Sequence, residues 1–385
     1  MFRIVVAPDS FKGSLAAPDV CSALARGLMR AAADIEVVAR PMADGGEGTL
    51  DAVLTAVGET GRHHRLSVGG AGGHAIDAAY GILASPEGPT AVLEVAQVVG
   101  LTDAAGMRTP VGMRTTRGLG ELVRALLDQG VRRFMIGLGG SSTNDGGAGM
   151  LTALGLSLLD AKGRAIAPGP DGLATLARAD ASALDPRLAA SAITIMSDVN
   201  NPLTGEHGAT AIFGPQKGVR KEEQQRFDEA IARFAESAQA AIGRRAADAP
   251  GAGAAGGLGF ALQLVGGAFH SGAEVVARLI GLDAALANAD WAITGEGRSD
   301  AQTLLRKAPF VVVERACAHG VPVTLVSGAV DAAALPELGK HFAGCFGLPN
   351  GPSTLEECIA NTAVLLADRA EQIARMLVAS RSKPR

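Results

Sequence analysis

Short apolar runs, each ending in a polar loop that leads into helical spacing, open this chain and close it. At the start, Ile4–Ala7 reads as a strand and PDSFKGS breaks it. Val20, Leu24 and Leu28 then recur along one helix face, with Pro18 suited to the first turn. Ile35–Ala39 predicts a second strand, which enters PMADGGEGT and then a helical run through Leu50, Val53, Leu54 and Val57. Near the end the pattern returns. Ala292–Thr294 enters GEGRSDAQT, a helix runs from near Pro309 to Gly320, and strands follow at Val321–Val326 and His341–Phe346. A long C-terminal helix is capped by Ser353 and Glu356. Strands that alternate with helices need crossovers, so both chain ends predict parallel strands. Five such strands suffice for one doubly wound, flavodoxin-like α/β sheet.

The middle of the chain follows another pattern. HHRLSVGG, HAIDAAYGIL and TAVLEVAQVVG, between Arg62 and Val99, are β-like runs separated by glycine-rich turns, which favours hairpins and a mixed sheet. A helix at Gly118–Gln129 and strands at Arg133–Leu138 and Ile193–Met196 follow. The expected organisation is a discontinuous domain of residues 1–62 plus 286–385, interrupted by an inserted α/β domain of residues 63–285. A length of 385 residues accommodates both, since single cores stop growing at roughly 250–300 residues.

Composition narrows the partners. With 35 basic against 39 acidic residues and 3% aromatics, the chain lacks the basic surface and stacking platforms of a nucleic-acid binder, and it has no pull toward an anionic membrane. Fifty-one glycines in a chain that is 48% hydrophobic point to turns and ligand loops, not disorder. Cys21, Cys317, Cys345 and Cys358 form no CxxC pair and suit a reducing compartment. MFRIVVAPDSF is too short an apolar run for a signal peptide. Residues 249–273 lack Asp, Glu, Lys and Arg but hold Pro250 and His270, so they read as loop plus buried helix. A cytoplasmic location is expected. No feature specifies an oligomeric state.

Ligands of open α/β sheets collect at the carboxyl ends of strands, and several loops there carry chemistry. PDSFKGSL offers Ser10, Lys12 and Ser14 ahead of a helix, either as an anion site or as a surface lysine in a serine-capped turn. ADGGEGT holds Asp44 and Glu47, suited to substrate hydroxyls or hydrated magnesium, or to capping the next helix. GLGGSSTNDGGAGM, residues 137–150, is the densest signal. It follows an apolar strand and contains six glycines. Gly139, Gly140, Ser141, Ser142, Thr143, Asn144 and Asp145 could present amides and hydroxyls to a polyphosphate, or form a structural turn against a neighbouring sheet. TGEGRSDAQTLLRK brings Glu296, Arg298, Asp300 and Lys307 to one strand end, as a carboxylate–magnesium–phosphate site or as an ion-pair network. Asp198 directly follows strand Ile193–Met196, as a general base or a loop cap, and the same segment holds Lys217. A GxGxxG string at Gly251–Gly256 follows no strand and reads as a product of composition. Carboxylates, lysines and glycine loops, with no HExxH or GxSxG, form the vocabulary of phosphoryl transfer.

In order, APDSFKGSL, PMADGGEGT, GLGGSSTNDGGAGM, DVNNPLTGEHGA with FGPQKG, and TGEGRSDAQT resemble the bacterial type I glycerate kinase family over nearly the whole chain. The resemblance implies two α/β domains with a cleft between them, and ATP- and Mg²⁺-dependent phosphorylation of D-glycerate, with 2-phosphoglycerate favoured over 3-phosphoglycerate. It draws attention to Lys12, Asp44, Glu47, residues 139–145, Asp198, Glu296, Arg298, Asp300 and Lys307. The expected roles are Lys12 for the transferring phosphoryl group or the glycerate carboxylate, Asp198 as general base with Asp44 as its competitor, residues 139–145 for the nucleotide, Ser10, Asp44, Glu47 and Arg298 for glycerate, and Glu296 and Asp300 for the metal. One stretch departs from the family pattern. Ala301 and Arg306 stand where glycines are expected, which is harmless in a helical backbone and costly at positive φ. The rival readings are another small-molecule kinase, of the galactokinase–homoserine kinase type, and a non-catalytic two-lobed binding protein.

Overall fold

The computed structural model describes residues 2–381. The chain divides into two compact units. Unit 1 comprises Met1–Asp44, Asp51–Gly58 and Ala273–Arg385, and unit 2 comprises Gly45–Leu50 and Glu59–Gly272. The return to unit 1 thus comes before residue 286. Gly45–Leu50 stands with unit 2 because its backbone bonds there: Gly139 N–H donates to the Gly45 carbonyl at 3.3 Å and Leu50 N–H to Glu94 Oε1 at 2.5 Å.

Unit 1 holds a five-stranded, fully parallel sheet. Its order is Gly344–Gly347, Val323–Ser327, Trp291–Thr294, Phe2–Val6, Ile35–Ala39. Numbered along the chain and read from the Ile35–Ala39 edge this is 2-1-3-4-5, the flavodoxin-like doubly wound arrangement. Ile4, Val5 and Val6 are all fully buried, as a strand covered on both faces requires, and this explains their uninterrupted apolar run. At the C-terminus the cap lies one residue beyond the expected Ser353. Thr354 and Glu357 exchange reciprocal bonds around a short helix, Leu355–Ala360, while Ser353 Oγ donates to the Gly351 carbonyl. The Asn361 side chain donates to the Glu357 carbonyl, and the long helix starts only at Thr362.

Unit 2 is built on a six-stranded mixed sheet in the order Ala268–His270, Ala192–Met196, Arg133–Gly137, Thr90–Glu94, Ala75–Leu83, Gly61–Gly69. The last three strands are joined antiparallel and the rest pair in parallel. Sequence reading did not anticipate the 22-residue helix Lys221–Ile242, although Phe227, Ile231, Phe234 and Ala238 form its buried stripe. The uncharged stretch contains a buried helix, Ala254–Leu264, kinked at Ala255–Gly257. Among the described residues, no helix is long and apolar enough to cross a membrane.

Candidate active site

In unit 1, strands Phe2–Val6 and Trp291–Thr294 flank the point where the strand order reverses, the place where α/β sheets of this order bind ligands. The loops that leave their carboxyl ends help line a cavity of about 380 Å³. Ser10, Lys12, Asp44, Glu296, Arg298 and Lys307 all reach it, so six candidates spread over the sequence meet in one place. Asp300 serves differently: its carboxylate accepts from Gln302 N–H at 2.8 Å and caps the short 3₁₀ helix Ala301–Leu304. Glu47 belongs to unit 2, where it lines a smaller cavity of about 220 Å³ with Gln97, Thr102 and Asp103.

The unit 1 cavity also contains a carboxylate that sequence reasoning passed over. Asp9 lies two residues beyond its strand run, is 7% exposed and lines the cavity. The signal was present, because the same position after a strand had singled out Asp198. Burial, reinforced by Asp44 and Glu296, pushes Asp9 up to about 8. The Ser10 N–H, which donates to Asp9 Oδ1 at 2.6 Å, and the charge of Lys12 offset this only in part. Glu296 is also raised by burial. Thr303 and Ser299 both donate to its Oε1, at 2.6 and 3.0 Å, leaving Oε2 as its second acceptor.

The two departures from the family pattern have different structural consequences. Ala301 lies in the 3₁₀ helix, where a Cβ is tolerated. Arg306 adopts φ +62°, a left-handed conformation that costs a residue with a Cβ roughly 1–2 kcal/mol. Its guanidinium pairs with Glu274 at 3.3 Å, and Lys307 follows as the N-cap of helix Ala308–Ala318.

The glycine-rich loop of unit 2 uses its side chains inward. Ser141, Ser142, Thr143, Asn144 and Asp145 are all buried. Asp145 accepts from Thr116 N–H at 2.7 Å, Thr116 Oγ1 at 2.9 Å, and the amides of Gly147 and Gly149 at 3.1 Å each. Lys217, itself buried, donates to Ser141 Oγ at 3.0 Å and to the Thr143 carbonyl at 2.7 Å. Arg114 donates to the carbonyls of Ser142 and Lys217. Burial holds Lys217 down at about 7, with Arg114 adding to the effect and Asp145 opposing it. Gly139 is required by packing, since a Cβ there would lie 2.5 Å from Gly46 Cα. Gly140 is exposed at φ +73°. Asp198 is exposed in the loop after strand Ala192–Met196.

Among the described residues no three His, Cys, Asp or Glu side chains form a ready-made metal cage. Magnesium needs none, because it commonly keeps several waters and binds through one or two carboxylates plus phosphate oxygens. The hard oxygens that converge on the unit 1 cavity fit that mode.

Comparison with known proteins covers nearly the entire chain. The profile of the glycerate kinase family matches residues 4–378. A Bacillus subtilis (strain 168) protein named glycerate kinase is 39% identical over 374 residues, covering 97% of each chain. An Escherichia coli (strain K12) protein named glycerate 2-kinase is 41% identical, covering 85% of each. A crystal structure of a Salmonella typhimurium LT2 protein, provisionally named glycerate kinase 2, superposes with a TM-score of 0.86 at 40% identity. That match covers 99% of this chain and 100% of the other.

Proposed function

The chain belongs to the glycerate kinase family, and on that premise we propose that it transfers the terminal phosphoryl group of ATP to D-glycerate, at the 2-hydroxyl in preference to the 3-hydroxyl. The observation that supports this reading is the cavity at the strand-order reversal of unit 1, where Asp9, Asp44 and Glu296 meet Lys12, Arg298 and Lys307. Phosphoryl transfer asks a protein for positioning and charge neutralisation more than for covalent chemistry, and this set supplies both. Lys12 and Lys307 neutralise phosphate charge. Arg298 offers a planar fork to the glycerate carboxylate, and Ser10 and Asp44 hold its hydroxyls.

Asp9 takes the proton of the attacking hydroxyl. Its buried, cavity-facing position and a pKa near the working pH suit a general base better than the exposed loop position of Asp198. Glu296, with Asp300 nearby, would hold the magnesium ion, which when bound neutralises charge on the phosphate oxygens. In unit 2 the Gly139 amide is taken by the Gly45 carbonyl, so Gly140 keeps the role of presenting a backbone amide to phosphate, while residues 141–145 maintain the loop. The E. coli relative named glycerate 2-kinase supports the choice of hydroxyl.

Phosphorus NMR after incubation with ATP, Mg²⁺ and D-glycerate tests the reading. It should show ADP and 2-phosphoglycerate. A folded protein that releases no glycerate-dependent ADP is not a glycerate kinase, and a 3-phosphate product would overturn the regiochemistry alone.

A further inference from the structure

The walls of the unit 1 cavity are divided by chemistry. Its charged residues come from the strand-end loops. Another part of the lining is apolar, built from Leu348 and from Leu355, Cys358 and Ile359 of helix Leu355–Ala360. Leu355 is 75% exposed and Ile359 41%, and their i,i+4 spacing puts them on one helix face. Glycerate, a three-carbon acid bearing a carboxylate and two hydroxyls, has almost no carbon surface to lay against such a wall. A volume of about 380 Å³ falls within the usual range for small-molecule pockets, roughly 300–1,000 Å³.

We propose that this apolar wall seats the purine base of the nucleotide, with Leu355 and Ile359 packed against it. The assignment rests on ATP being the phosphoryl donor. A nucleoside triphosphate joins a flat, apolar-faced ring to a polyanion, and the cavity joins an aliphatic wall to Lys12 and Lys307. The acid keeps the polar end. The base therefore belongs to unit 1, and the glycine loop of unit 2 has no part in recognising it.

Leu355→Asp and Ile359→Asp put a charge into the wall at exposed positions, where folding is little affected. Each should raise KM for ATP and the calorimetric Kd for ADP by roughly tenfold or more, while KM for glycerate moves less than about threefold. In the unmodified protein, ADP should slow alkylation of Cys358 by iodoacetamide, mapped by mass spectrometry, whereas glycerate and inorganic phosphate should not. Unchanged ADP affinity in both variants overturns the assignment. So does a rise confined to KM for glycerate, or a changed oligomeric state at unchanged ADP affinity, which would give the wall to a second copy of the chain. ADP binding that protects Cys358 in a protein unable to phosphorylate glycerate would support the base site and sink the kinase reading. An active enzyme with indifferent variants does the reverse.

Discussion

In unit 1 the loop after strand Phe2–Val6 brings Asp9, Ser10 and Lys12 to a cavity, whereas in unit 2 the loop after strand Arg133–Gly137 buries Ser141 through Asp145. Both loops contain a carboxylate that burial pushes upward. Asp145 collects four donors and is fully embedded in its own loop. Among the described residues Asp9 takes one hydrogen bond, from Ser10, and has two further carboxylates as electrostatic neighbours. A buried carboxylate supplied with donors is architecture. One left short of them stays responsive to whatever enters beside it.

The sharpest way to break this comparison is Asp9→Asn. If Asp9 is the proton acceptor, kcat should fall by at least ~100-fold with KM for ATP nearly unchanged, and Asp198→Asn should cost less than about threefold. The opposite ranking would return the role to Asp198. In the wild type, kcat/KM for glycerate should rise with pH through about 8, and the variant should lose that limb. Stability gives a second readout. The folded-state value of about 8 lies above the ordinary 3.8, so the stabilisation from neutral Asp9 is complete below about pH 3.8 and is lost as pH rises through about 8. Denaturant titrations should therefore find Asp9→Asn equal to wild type near pH 4 and more stable, by up to a few kcal/mol, near pH 9.

Lys217→Met probes the other side of the comparison. It removes the donor to Ser141 Oγ and the Thr143 carbonyl and leaves buried acceptors unpaired, at a cost of about 1–3 kcal/mol. Lys217 faces Asp145 and Arg114, and its folded-state value of about 7 lies below the ordinary 10.5. Its neutral form thus contributes fully above about pH 10.5 and loses that contribution as pH falls through about 7. The stability gap between wild type and variant should be widest in alkali and narrow on acidification. A gap independent of pH would mean that Lys217 does not titrate in the fold.

The smallest effect belongs to Arg306. Arg306→Gly relieves the left-handed backbone but loses the exposed pair with Glu274, for a net gain of about 0–1 kcal/mol. Arg306→Ala keeps the strain and loses the pair, so it should be less stable than Arg306→Gly. Denaturation midpoints that rank the alanine variant at or above the glycine variant would remove strain as the explanation.

The pairing of apolar runs with polar loops made the parallel sheet of unit 1 legible, because strands covered on both faces must be continuously apolar and Ile4 to Val6 are. The hairpin strands of unit 2 were legible from their glycine-rich turns. The helix Lys221–Ile242 escaped although its buried stripe has helical spacing. Asp9 escaped because it stood inside a motif chosen for its lysine and serines.

The residue types alone determined which chemistry this chain could hold: carboxylates, lysines and glycine turns at strand ends, with no nucleophile or metal motif to compete. They also determined that Arg306 would be costly if its φ were positive. Only the tertiary structure decided which way each polar side chain turned. A sequence counts donors and acceptors, but a buried polar group is satisfied by whatever the fold brings beside it. For Ser142 that partner is Val99, for Asp145 it is Thr116, and for Ser141 it is Lys217, from 76 residues further along the chain. Asp9 was brought instead beside Asp44 and Glu296, two groups that repel its charge, and a cavity formed where they meet.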